Sequence, residues 1–156
     1  MSSSDTASTQ NPFASYGGTL SVPLLFKHPV SKQTTATAFT VSPAQSGTLF
    51  SLPSVGAVIT LPAVASSAGS IWKFVLSAAN GTTAWTVTAP ANTLKGAVLM
   101  GATTATSTVL IMAGDAGTSV AFSTTALAGD HIEVTSDGTY YYVSGVGAAT
   151  ASFTVA

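Results

Sequence analysis

Four residues able to do chemistry crowd into the stretch GDHIEVTSDGTYYYVSGVG, from Gly129 to Gly147: Asp130, His131, Glu133 and Asp137. The whole chain holds five Asp and Glu, two His and four Lys, with no Arg and no Cys. Carboxylates beside a histidine suit metal binding or general acid–base hydrolysis. A histidine metal site needs further ligands, however, and His131 with Glu133 supplies at most two on one strand face. A glycosidase pair needs two carboxylates about 5–10 Å apart on different strands. Asp115 is the only second member on offer, and nothing in the sequence brings it near Glu133. For a serine hydrolase, only His28 (in FKHPV) and His131 can act as the base, and no G-x-S-x-G elbow presents a nucleophile. P-loop and G-x-G-x-x-G patterns are also missing. The residues therefore predict no catalytic, cofactor-binding or metal-binding site, and no enzyme.

The element that carries the cluster reads as a hairpin. Asp137-Gly138 is a type I′ turn signal that pairs Val134 with Tyr141 and Ile132 with Val143 on an inward face. Glu133 then opposes Tyr142, His131 opposes Ser144 and Thr135 opposes Tyr140 on the outward face. A strand of this length spans about 20 Å, so Asp130 and Asp137 at its two ends cannot converge on one ion. Alternation sends Tyr141 into the core. It leaves Tyr140 and Tyr142 as a candidate protein-contact patch, since exposed aromatics favour interfaces. A second hairpin is predicted at IWKFVLSAANGTTAWTVTAP. There Asn80-Gly81 as a type I′ turn pairs Leu76 with Trp85, Phe74 with Val87 and Trp72 with Ala89. Asn80-Gly81-Thr82 also matches the glycosylation pattern, but the turn accounts for the Asn.

Nearly everything beyond residue 18 reads as β: short runs rich in Val, Thr, Ile and aromatics, punctuated by Gly, Pro, Asn or Asp. No window carries a helical apolar stripe. Strands are expected near 20–26, 36–42, 47–52, 56–61, 70–77, 83–89, 96–100, 107–112, 118–123, 131–136, 139–145 and 150–155. Many short strands at close spacing predict an all-β fold, an antiparallel β-sandwich or jelly-roll-like single domain over 19–156. Residues 1–18 (MSSSDTASTQNPFASYGG) lack periodicity and read as a flexible arm, whose Phe13 and Tyr16 are candidate anchors on a neighbouring subunit. FSLPSVGA (50–57) is echoed by ITLPAVAS (59–66), but no fixed period persists, so the pattern does not predict a solenoid.

Composition limits the partners. Charged residues make up 6% of the 156 residues, with net charge −1, against about a quarter in an average soluble domain. Without arginine or a basic excess, no nucleic-acid partner is expected. The longest apolar runs, such as VLIMA, fall far short of the ~18–20 residues that span a bilayer as a helix. Alternating strands suit a membrane barrel too, but no basic n-region and apolar h-region open the chain, so no membrane is expected. A surface with so little charge opposes association of identical copies only weakly, so an oligomer or a shell subunit is expected.

Taken in order, GAVITLPAV (56–64), GSIWKFVLSAANGTTAWTVTAP (69–90), LKG (94–96) and GDHIEVTSDGTYYYVSGVG resemble a β-domain of virion proteins. It recurs in bacteriophage tail fibres, spikes and head-decoration proteins and in minor capsid proteins of large DNA viruses. The resemblance covers roughly 47–147, and the family's final hairpin aromatic falls at Tyr141. It implies a structural or adhesive role in the virion, homotrimers, contacts with major capsid or other virion proteins, and no catalysis. The short chain without a shaft favours a capsid-surface decoration subunit. The alternative is a receptor-binding module that recognises a glycan or host-surface protein.

Overall fold

The computed structural model describes residues 29–101, 108–111 and 117–156. Twelve strands lie among them: β1 (Val30–Lys32), β2 (Phe39–Thr40), β3 (Leu49–Leu52), β4 (Val58–Thr60), β5 (Ile71–Leu76), β6 (Trp85–Thr88), β7 (Leu94–Met100), β8 (Thr108–Ile111), β9 (Ser119–Phe122), β10 (His131–Ser136), β11 (Tyr141–Gly147) and β12 (Phe153–Val155). Two 3₁₀ turns, Pro43–Gln45 and Val64–Ser66, are the only helical pieces among the described residues. The all-β expectation holds, and eleven of these strands fall where the sequence pattern puts them. The strand expected at 20–26 and the arm 1–18 lie outside the described residues. β1 is too short, at VSK, to leave a pattern.

The strands form a seven-stranded sheet in the order β1-β3-β5-β10-β11-β7-β8 and a five-stranded sheet in the order β12-β9-β6-β4-β2. Strand direction corrects the antiparallel expectation in part: β5·β10, β10·β11, β7·β8, β6·β9 and β9·β12 are antiparallel, but the other pairings are not. β1·β3, β3·β5, β2·β4, β4·β6 and β7·β11 are parallel pairs. From β1 to β6 the chain passes from one sheet to the other at every strand. Parallel neighbours need a crossover, and here each crossover is a strand of the opposite sheet rather than a helix. A jelly roll, built from antiparallel Greek keys, does not wind this way. The echo of FSLP by ITLP marks two successive strands of this winding, β3 and β4. The sequence gap between parallel partners widens along the chain, from Val30–Leu49 to Ile59–Val87, which hides any period.

Alternation explains which side chains meet between the sheets. Phe50, Leu52, Trp72, Phe74, Leu76, Ile132, Val134, Tyr141 and Val143 from one sheet join Ile59, Trp85, Val87, Val120, Phe122 and Phe153 from the other in one apolar cluster. Phe39 of β2 stacks on Phe50 of β3 across the layers, at 5.6 Å between ring centroids. The predicted hairpin at Asn80-Gly81 does not form, because β5 and β6 belong to different sheets. Its large residues do share one interior, facing each other across the core instead of along a ladder. Asn80 is buried; its side-chain amide donates to the Phe122 and Ser123 carbonyls at 3.0 and 2.8 Å, tying the connection to the end of β9.

The second predicted hairpin does form, two residues out of register. Ser136 pairs with Tyr141, Val134 with Val143, Glu133 with Ser144 and His131 with Val146. The Asp137 carboxylate accepts N–H bonds from Thr139 and Tyr140 at 2.7 and 2.6 Å, and Gly138 takes φ 90°. That Asx-type turn spends four residues where a type I′ turn spends two. A slip of two preserves the faces, so Tyr141, Ile132 and Val134 stay buried.

Candidate protein-contact face

The outer face of the seven-stranded sheet is where exposed hydrophobics and charged side chains collect. Register builds it row by row. One row runs Lys32, Ser51, Val75, His131, Val146, Leu99, Val109 across all seven strands. The next begins Val30, Leu49, Lys73, Glu133, Ser144, Ala97. A third carries Ile71, Thr135, Tyr142 and Lys95. Nine large hydrophobic side chains are exposed among the described residues. Six of them stand here: Val30, Ile71, Leu99, Val109, Tyr142 and Val146. Val109 is 54% exposed and Val146 48%. Scattered single hydrophobics need no explanation, but a contiguous apolar face does.

The outer face of the five-stranded sheet is built differently. Its rows read Thr154, Ala121, Thr86, Val58 and Ser119, Thr88, Thr60, Thr40. Hydroxyls there hydrate the surface without charge. The two outward faces of one chain thus differ in kind.

Two open grooves cross the apolar face on either side of the Lys73–Glu133 pair. One, of about 490 Å³, is bounded by Leu49, Ile71, Lys73, Val75, His131 and Glu133. The other, of about 270 Å³, runs past Glu133, Ser144, Val146, Leu99 and Val109. Lys73 and Glu133 are direct cross-strand partners in the middle of the face. His131 Nδ1 lies 3.2 Å from the Gly129 carbonyl.

The acidic cluster does not converge. Asp130 is buried, its carboxylate accepting the N–H of Leu127 at 2.9 Å and of Ala148 at 2.8 Å, and so clamps two loops together. Glu133 faces outward from mid-strand. Asp137 closes the β10–β11 turn. No group of three or more His, Cys, Asp or Glu among the described residues is placed to hold a metal ion. The N–H groups of Tyr140 and Thr139, then the Tyr142 hydroxyl, hold the Asp137 carboxyl below its ordinary value of 3.8. The same contact raises the Tyr142 phenol.

Of the predicted contact residues, Tyr142 is exposed on this face, its hydroxyl donating to Asp137 at 2.9 Å. Tyr140 is the last residue of the turn rather than a strand residue, half-buried beneath Lys95, whose Nζ sits 3.7 Å from the ring centre. Phe13 and Tyr16, like His28 and Asp115, lie outside the described residues. Sequence reasoning missed Val30, Lys73, Leu99, Val109 and Val146. A signal existed in LKGAVLM, where apolar residues stand at both parities of one strand, the mark of a strand covered on both faces. No helix among the described residues is long and apolar enough to cross a membrane. Compared with protein-family models, curated proteins and solved structures, the chain has no match.

Proposed function

We propose that this protein is a non-catalytic structural subunit of a virion surface, a decoration or minor capsid protein that binds protein neighbours, copies of itself among them. In this reading the two sheets make a β-sandwich whose seven-stranded side is the working surface. The observation that carries it is the gathering of six exposed large hydrophobics on one sheet face, opposite a face of threonines. Such patches on soluble proteins mark interaction sites. The chain also lacks the charge that keeps identical copies apart, with 6% charged residues and net charge −1. The virion setting rests on the sequence resemblance.

Purified particles from the source virus test the setting. Mass spectrometry and antibody labelling should find the chain on the particle surface, in amounts stoichiometric with the shell. Its absence from purified particles would refute the virion reading. One observation favours the adhesive alternative: the open groove between Ile71, Lys73 and Glu133 has room for a small polar ligand. A glycan array decides between them, since a decoration subunit gives no specific signal there.

A further inference from the structure

The outer face of the seven-stranded sheet is a single patch with opposite charges side by side at its centre. Resting on the reading of this chain as an assembling subunit, we infer that this face packs against the same face of a second copy, about a twofold axis that sets Lys73 of each chain over Glu133 of the other.

Symmetry follows from the number of patches. A ring of three joins two different complementary surfaces on each chain, whereas a patch that meets itself generates a twofold pair. Among the described residues one outward sheet face gathers six exposed large hydrophobics around its charged pair, and the other is lined with threonine. The threefold assembly implied by the resemblance would find no second sheet face of this kind among the described residues.

Charge gives the register. Lys73 on β5 and Glu133 on β10 are direct neighbours across the ladder. An axis lying in the interface and running along the strands between β5 and β10 exchanges these two positions. Each ammonium then has a carboxylate beside it and another above it. Charges enclosed in an interface must be paired, and this arrangement pairs the four at its centre, while Lys32 stands on the edge strand β1 and Lys95 lies over the Tyr140 ring. Without the partner, two opposite charges on neighbouring strands at a surface are worth little to each other.

Area is sufficient. The axis overlaps six strands and leaves β8 outside; six strands about 4.8 Å apart, with rows spanning roughly 15–20 Å, make a face of on the order of 500 Å². Two such faces bury about 1,000 Å², where specific interfaces begin. Flat sheets stack about 10 Å apart with strands within roughly 30° of alignment, a spacing that encloses side chains of this size.

Charge reversal with mixing is the test. The full-length chain should sediment at twice its 15.4 kDa mass. Glu133→Lys and Lys73→Glu should each weaken self-association by about 100-fold or more, as loss of a desolvated charge pair does. An equimolar mixture of the two variants should regain the dimer. Each variant carries a like-charge neighbour pair within its own chain, and mixing cannot relieve that. Only contact between chains explains rescue. Val146→Lys, at an exposed position, should also give a monomer with an unchanged circular dichroism spectrum.

Wild-type dimers that survive both Glu133→Lys and Val146→Lys would overturn the inference, as would a mixture that stays monomeric. A strictly monomeric wild-type chain would also overturn it, leaving the face to residues 1–28 or to an unlike partner. A threefold mass would remove the twofold pair and leave the assembly reading standing. A confirmed dimer absent from particles would do the reverse.

Discussion

At the scale of single residues, one short stretch of sequence holds three carboxylates with three different jobs. Asp130 is a buried acceptor for two backbone N–H groups. Asp130→Ala orphans both, so unfolding in urea should show a loss of about 2–4 kcal/mol. Glu133 is a face residue with no buried group of its own chain depending on it, and at concentrations too dilute for pairing Glu133→Gln should stay within about 0.5 kcal/mol. Equal losses from the two would contradict the division of roles. Asp137 gives a pH signature. Its carboxyl is held below 3.8 in the folded chain, chiefly by the Tyr140 and Thr139 N–H groups. A depressed folded value means that the ionised turn adds stability above the unfolded value, and that this contribution is lost as pH falls through the folded one. The Thr139 and Tyr140 amide resonances should therefore titrate together, with a midpoint under 3.8. Asp137→Ala should abolish that step and lower the Tyr142 phenol toward 10.0.

At the scale of elements, the fold repeats one fastening. Strands β3 and β4 both run into Leu-Pro, and in both the proline carbonyl accepts a hydrogen bond from a buried aromatic. Trp85 Nε1 donates to Pro53 at 2.9 Å, and the Tyr141 hydroxyl donates to Pro62 at 2.8 Å. Each bond ties the end of a strand to a ring in the shared core. Tyr141 packs beside Trp72 and its hydroxyl also reaches Ser67 Oγ at 3.0 Å. Two components of its contribution can be separated in denaturant. Tyr141→Phe keeps the ring and strips the Pro62 carbonyl of its donor, for about 1–3 kcal/mol. Tyr141→Ala removes the ring too and should cost about 3–5 kcal/mol. A Phe variant as damaged as the Ala variant would mean that the hydroxyl, not the packing, is the main tie. Gly56 shows how tightly the winding is drawn. A Cβ there would lie 2.2 Å from the Ala84 carbonyl carbon and oxygen, which are backbone and cannot step aside.

At the scale of the whole molecule, the two outward faces should answer the same change differently. A lysine on the threonine face, at Thr60, meets water in the monomer and in the proposed pair alike. A lysine at Val146 meets the partner. Light scattering across a concentration series should therefore show Thr60→Lys associating like wild type and Val146→Lys failing to associate. Association lost equally in both would indicate a general effect of charge and not one contact face.

Alternation and composition were legible without coordinates. Period-two patterning depends on each strand's own residues, so it placed eleven strands and sent Trp72, Phe74, Trp85 and Tyr141 inward. The spread of the acidic residues along one strand followed from the same local geometry. Partner choice was not legible, because a strand's inward face looks the same whichever neighbour it pairs with. Asn80-Gly81 matched a hairpin, yet its flanking strands part to opposite sheets. The register of the last hairpin turned on two hydrogen bonds from Asp137, which no spacing rule ranks above a two-residue turn. The contact face was hidden for the same reason. Val30, Ile71, Leu99, Val109 and Val146 come from five strands scattered along the chain, and only the parallel winding and the sheet order set them side by side.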